Sequence, residues 1–118
     1  EHGLKGSSPF FKIRTVYTFT ATNIRLQVTV KPTRRRALRL LPTLPRVGLR
    51  FDLQPSFSRV SWLGRGPHES YPDRKASAHY NVYQRTVEEM HVPYVVPGEN
   101  GGVADVQWTA LQDQSGTG

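Results

Sequence analysis

The residues best suited to bond-breaking chemistry are five acids: Glu69, Asp73, Glu88, Glu89 and Glu99. Two carboxyl groups held about 5–5.5 Å apart can divide the roles of nucleophile and acid/base at an acetal carbon. Glu88 and Glu89 are adjacent, so on a strand or a helix their side chains diverge. Glu69 and Asp73 share one segment, Gly64 to Arg74 (GRGPHESYPDR), and could converge. Arg74, in the same segment, is better placed to pair with one of them and lock the turn. No self-sufficient catalytic pair is expected.

The segment also supplies the binding candidates. In a functional reading Glu69, Tyr71, Asp73 and Arg74 line a sugar site or a contact with a neighbouring domain. In a structural reading Pro67 and Pro72 stiffen the loop, Gly64 and Gly66 permit unusual dihedrals, and the charges satisfy backbone groups. The structural reading is preferred. His68, His79 and His91 are spaced too widely for a local metal motif, so no metal site is expected. Gly98 to Gly102 could form an anion nest, though a plain turn accounts for it. Gly64-x-Gly66 lacks the third glycine and following helix of a dinucleotide loop. Trp62, Trp108, Tyr80, Tyr83 and Tyr94 read as core or inter-sheet aromatics.

These side chains must be positioned by strands. Phe11, Ile13, Thr15, Tyr17 and Phe19 alternate with polar residues, as do Ile24, Leu26, Val28 and Val30 after a polar break at 21–23. This is a hairpin with one buried face. The pattern predicts further strands at Val47 to Leu53, Arg59 to Leu63, Val92 to Val96 and Ala104 to Ala110. The first nine residues, EHGLKGSSP, read as irregular, and Ala76 to Met90 fits a helix or a strand equally. Lys31 to Leu44 reads as a loop carrying Arg34-Arg35-Arg36. At least six short strands favour an antiparallel sandwich over residues 10–111, between an irregular segment (1–9) and a mobile polar tail (112–118).

Composition agrees with a β-rich globular chain. Of 118 residues, 36% are hydrophobic, and ten glycines and nine prolines punctuate the chain. No apolar run approaches the roughly 20 residues of a spanning helix, so no membrane partner is expected. Cysteine is absent, which excludes disulfides and thiolate metal sites. The net charge of +7 is uneven: residues 1–50 hold eleven Lys/Arg against one acid, Glu1. A processed protein and an excised fragment would both begin as this chain does, without a leader.

Four blocks together resemble the small-chain domain of family 2 β-galactosidases. LPRVGLRFDL (44–53) is similar to that domain's apolar-Pro-Arg-apolar-Gly-Leu strand. VSWLGRGPHESYPDRKASA (60–78) is similar to its Trp-x-Gly-x-Gly-Pro-x-Glu-x-Tyr-x-Asp-Arg segment. VPYVVPGENGG (92–102) matches its Pro-Tyr-apolar-x-Pro-x-Glu-x-Gly turn, and the hairpin from Phe11 to Val30 suits the preceding strand pair. Each block is weak alone, but their order and spacing are specific.

The resemblance implies an incomplete β-sandwich, a supersandwich related to galactose mutarotases. It implies that the chain is part of a cytoplasmic, homo-oligomeric enzyme cleaving terminal β-D-galactosyl bonds with retention. The catalytic glutamates, magnesium and a monovalent cation would then reside in or around a (β/α)-barrel domain of the same polypeptide, and a sugar-stacking tryptophan beyond Gly118. Trp62 and Trp108 do not match that tryptophan's position. The segment itself is expected to be inactive, to hold no cofactor and to have the barrel as its partner. Arg34–Arg36 and the basic charge fall outside the family pattern. They motivate the alternatives, a polyanion or nucleic-acid binder and a stand-alone carbohydrate-binding β module. No nucleic-acid motif supports the former, so no specific nucleic acid is expected.

Overall fold

The computed structural model describes residues 10–33, 43–44 and 46–117, together with the backbone of 2–7. The basic run Arg34–Arg36 lies outside the described residues, and of the loop expected from Lys31 to Leu44 the first two residues, Lys31 and Pro32, belong to a strand instead. The chain divides into two compact units, Glu1–Leu49 and Arg50–Gly118. Both are antiparallel β, and one 3₁₀ turn, Glu88–Met90, is the helical content among the described residues. The all-β, antiparallel class expected of an incomplete sandwich is what the chain has.

The first unit is a three-stranded sheet of β1 (His2–Ser7), β2 (Phe11–Phe19) and β3 (Ile24–Pro32), in that order. Its register pairs apolar with apolar: Ile13 opposite Val30, Thr15 opposite Val28, Tyr17 opposite Leu26 and Phe19 opposite Ile24. The intervening positions pair Lys12 with Lys31 and Thr18 with Arg25, all of them exposed. The register keeps this set on one face, but the buried face expected of the hairpin is not seen among the described residues: Ile13, Phe19, Ile24, Val28 and Val30 are exposed and Thr15, Tyr17 and Leu26 half-buried. The turn is closed by Thr20, whose hydroxyl accepts from the Asn23 N–H at 3.0 Å while its own N–H donates to the Asn23 carbonyl at 2.9 Å. Residues 1–9, expected to be irregular, contain β1 instead. Its ladder runs from His2–Tyr17 to Ser7–Lys12, and this pairing overrides the poor strand propensity of two glycines.

The second unit is built on β4 (Arg59–Gly66), flanked by β5 (His79–Thr86) and β6 (Trp108–Gln112). On β4 the even positions Trp62, Gly64 and Gly66 are buried, while Leu63 and Arg65 are half-buried. Trp62 is 1% exposed. Its indole lies 5.5 Å from the Tyr83 ring and donates to the Arg65 carbonyl at 3.0 Å. Tyr83 lies across Gly66, where a Cβ would sit 2.6 Å from the ring, and its hydroxyl donates to the His79 carbonyl at 2.9 Å. A glycine on the strand thus makes room for an aromatic that covers its own sheet. The ambiguous stretch from Ala76 to Met90 resolves as a strand followed by the 3₁₀ turn.

Further expectations fail, among them the first half of the strand expected from Ala104 to Ala110, since β6 begins only at Trp108. Val47 to Leu53 alternates in sequence but is in no strand, and Val47, Leu49, Phe51 and Leu53 are all more than half exposed. Alternation marks two faces, but a strand also needs a ladder partner. Val92 to Val96 is not a strand either: prolines 93 and 97 remove two donors, and Val95 is 99% exposed. Trp108, expected in the core, is 44% exposed. It pairs with Leu63, an odd position of β4, and so lies on the face opposite Trp62. The polar tail is organised by Asp113, whose Oδ1 accepts from the N–H groups of Ser115 (2.8 Å) and Thr117 (2.9 Å).

Trp62→Ala is expected to cost about 3–5 kcal/mol, as removal of a large core aromatic does, and to abolish the cooperative melt of the second unit in circular dichroism. Val82→Thr, at a position 56% exposed, is expected to shift stability by no more than about 0.5 kcal/mol.

Candidate functional site

β4 ends at Gly66 and β5 begins at His79, so residues 67–78 form the connection between them. Within it Tyr71 and Arg74 exchange backbone hydrogen bonds, Tyr71 N–H to the Arg74 carbonyl at 3.1 Å and the reverse at 2.9 Å. The enclosed Pro72-Asp73 pair is a tight-turn sequence, proline fixing φ and aspartate tolerating the second position. Glu69, two residues before Tyr71, meets a second loop, 91–107, which leads into β6.

Glu69 is the centre of the site. One carboxylate oxygen, Oε1, accepts from Arg74 Nη2 and from the Tyr94 hydroxyl. The other, Oε2, accepts from the Gly101 N–H at 3.0 Å. Its side chain is 9% exposed. Arg74 Nη2 also donates to the Tyr94 hydroxyl at 3.1 Å, and its guanidinium stands 5.4 Å from the centre of the Tyr71 ring, within cation–π range. The Tyr94 hydroxyl lowers the Glu69 pKa most, burial opposes it, and the Gly101 N–H and Arg74 lower it further. Arg74 is raised by the same two partners, Tyr94 first and Glu69 second.

The backbone around Glu69 is stitched to the second loop. The buried Ser70 donates its N–H to the Gly102 carbonyl at 2.8 Å, and its hydroxyl accepts from the Ala104 N–H at 2.9 Å. The Tyr71 hydroxyl accepts from the Gly102 N–H at 3.3 Å. Two adjacent glycines make this possible. Gly101 has φ +70°, and a Cβ there would meet the Met90 carbonyl oxygen at 2.8 Å; one on Gly102 would meet the Tyr71 ring at 2.8 Å.

A second polar cluster fixes the other end of the same connection. Asp105 accepts from Arg65 Nε at 2.6 Å and from Lys75 Nζ at 2.9 Å. Arg65 also donates to the carbonyls of Lys75 and Ala78 at 3.2 and 2.9 Å. The Asp105 carboxyl is held low by Arg65 first and Lys75 second.

Of the four proposed site residues, Glu69, Tyr71 and Arg74 come together and are bonded to one another's loops. Asp73 is exposed at the turn and exchanges no side-chain hydrogen bond with a described residue. Glu69 and Asp73 share no hydrogen bond or common donor: Glu69 turns both oxygens to Arg74, Tyr94 and Gly101, away from the exposed Asp73. Glu88 is exposed. Glu89 Oε2 accepts from the Thr86 N–H at 2.8 Å while the Thr86 hydroxyl accepts from the Glu89 N–H at 3.1 Å, a reciprocal pair of the capping-box kind. Among the described residues no three His, Asp or Glu side chains gather to hold a metal ion, and no helix is long and apolar enough to cross a membrane. Tyr94, Ser70, Gly101 and Asp105 were not legible as parts of the site. The one signal was that Tyr94 and Gly101 fall in VPYVVPGENGG, a block whose residues resemble the same family as the Glu69 segment.

The chain is all-β among the described residues, and both oxygens of its best-placed acid accept from neighbouring side chains or backbone. The family model of the beta galactosidase small chain matches residues 3–117, and the chain belongs to that family. It is 59% identical over 61 residues to a beta-galactosidase of Vibrio cholerae serotype O1, covering 52% of this chain and 6% of that protein. A beta-galactosidase of Psychromonas ingrahamii is 47% identical over 78 residues, and one of Priestia megaterium 37% over 78, each covering 66% of this chain and 8% of the relative. The chain thus spans less than a tenth of the length of these curated relatives.

Gly101→Ala is expected to destabilise the second unit by at least about 1–2 kcal/mol, the cost of a left-handed conformation with a Cβ, with a further loss from the contact on Met90. Gly98→Ala, in the same turn and with only the Val96 carbonyl oxygen at 3.9 Å, is expected to be near neutral or slightly stabilising. Urea unfolding of the two variants in parallel checks the difference.

Proposed function

We propose that this chain is a structural and substrate-shaping module of a β-galactosidase, a family 2 glycoside hydrolase acting on terminal non-reducing β-D-galactose with retention. The observation that carries the reading is the family match over residues 3–117 in a chain whose aligned part covers 6–8% of relatives named beta-galactosidase. A saturated Glu69 agrees with it, because a module that contributes shape needs rigid loops and no reactive acid.

In this reading the two catalytic glutamates belong to a (β/α)-barrel domain of the parent polypeptide, one as nucleophile and one as acid/base. Magnesium and a monovalent cation are properties of the parent. The sheets are the beginning of a galactose-mutarotase-like supersandwich. The turn bearing Asp73, with Tyr71 and Arg74 behind it, is the surface offered to the barrel or to the sugar. Lactose is a fitting substrate, and the parent is a cytoplasmic homo-oligomer.

The 118-residue chain is expected to release no chromophore from a chromogenic β-galactoside, whereas the parent polypeptide hydrolyses it. Proton NMR of the parent reaction is expected to show β-galactose as the first product anomer. PH-dependent turnover by the isolated chain, or α-galactose appearing first, would overturn the proposal.

A further inference from the structure

Everything that ties the turn 67–74 to the loop 91–107 passes through Glu69 or lies next to it. The carboxylate receives Tyr94 and Gly101 from the loop and Arg74 from the turn. The neighbouring Ser70–Gly102, Ser70–Ala104 and Tyr71–Gly102 bonds need the same close approach. The β4–β5 ladder, by contrast, runs from Arg59–Thr86 to Gly66–His79 without using any of these groups. The turn thus holds Tyr94, Gly101 and Gly102, while the sheet holds the end of the same loop, the Arg65 N–H donating to the Ala104 carbonyl at 3.0 Å and the Gln107 N–H to the Leu63 carbonyl at 2.9 Å.

The geometry points to Glu69 as an acid-sensitive latch, whose protonation releases residues 94–102 from the turn 67–74 while the β4–β5–β6 sheet stays paired. Protonation removes the charge that Arg74 and Tyr94 are paired with and puts an O–H in place of one acceptor lone pair, so the guanidinium, the phenol and the Gly101 N–H are left on a weaker, neutral acceptor. The remaining charged or titratable groups around the recess beside it are His68, Arg85 and Glu89. His68 Nε2 lies 3.0 Å from Ser77 Oγ, on the far side of the connection. Glu89 is occupied by Thr86, whose N–H is the main reason its own carboxyl is held low, with Arg85 adding to it. Because the Glu69 carboxyl is held below its ordinary value, the latch contributes fully above that ordinary value and is lost as the pH falls through the depressed one.

Amide hydrogen exchange of the 118-residue chain, corrected for intrinsic rates, tests this between about pH 7 and about pH 3, the range of carboxylate titration. On acidification the amides of Gly101 and Gly102 are expected to lose at least about tenfold in protection while those of the β4–β5 ladder keep theirs, as separate units of local opening do. Glu69→Gln should show the released loop already at neutral pH and no further response. Tyr94→Phe, lacking the donor that lowers Glu69 most, should release at a higher pH than the parent sequence, and Glu89→Gln should release as the parent does. The latch is overturned if loop and ladder lose protection together, if Glu69→Gln retains the acid response, if Glu89→Gln abolishes it, or if the ladder is unprotected at neutral pH. None of these readouts involves activity, so the latch can fail while the β-galactosidase reading stands, and the reverse.

Discussion

A carboxylate shielded from water must be neutralised or supplied with hydrogen bonds, because desolvating an unpaired charge costs far more than one loop contact returns. Glu69 meets that demand with one guanidinium, one phenol and one backbone N–H. Each donor comes from a different point of the chain, at positions 74, 94 and 101. To bring them to one pair of oxygens, the chain must fold the turn after β4 against the loop before β6. The glycines at 101 and 102, the buried Ser70 and the placement of Tyr71 follow from that requirement. The second cluster, Asp105 with Arg65 and Lys75, repeats the device on the other side of the connection with a more exposed acid. Solvent screening makes its ion pairs worth correspondingly less.

Beneath this polar layer the second unit has a small core. Trp62 and Ala78 are its fully buried hydrophobic residues among those described. Trp62 is served by Tyr83, which is anchored at both ends: its ring by the indole, its hydroxyl by the His79 carbonyl. The alternation of Gly64 and Gly66 with Leu63 and Arg65 would read as a weak strand by propensity alone. The strand persists because it lies between two partners and because the glycines admit Tyr83 on one side and Val106 on the other. The cost of the glycines in backbone freedom is offset by an aromatic contact that a larger residue would exclude.

How far this was legible in the sequence depended on the range of the interaction. The hairpin of Phe11–Phe19 and Ile24–Pro32 is local: its register follows from alternation and a polar turn, so the pattern was sufficient. The pairing of Arg74 with an acid of its own loop was also legible, being five residues from Glu69. The partners Tyr94 and Gly101 lie 25 and 32 residues from Glu69, and nothing in the spacing of either block announces that they meet. Val47 to Leu53 shows the opposite error, since its alternation is as clear as that of β2 yet no neighbouring strand among the described residues completes it. β1 has the neighbour without the pattern. In both cases the decisive fact was the ladder partner, which is non-local. Trp108 was misjudged because residue type alone does not say which face of a strand a side chain takes.

Polar and apolar groups are satisfied to different degrees. No buried side-chain nitrogen or oxygen among the described residues lacks a hydrogen-bond partner, so the loops around Glu69 are complete from their own residues. The apolar positions are not. Ile13, Val28 and Val30 are about two-fifths exposed on the paired face of β2 and β3, Phe19 and Ile24 more than half, and Val82 and Trp108 remain open on β5 and β6. An apolar side chain left in water forgoes about 25 cal/mol for every Å² it could bury, and such positions recur on every strand whose side chains are described except β4. The two kinds of interaction therefore have separate tasks here. Hydrogen bonds and charge, which require close geometry, determine the shape of the site within the chain. Burial, which requires only area, is the part of its stability that these strands leave unsatisfied, and a sequence patterned for two-sided sheets gains most where further apolar surface is supplied to them.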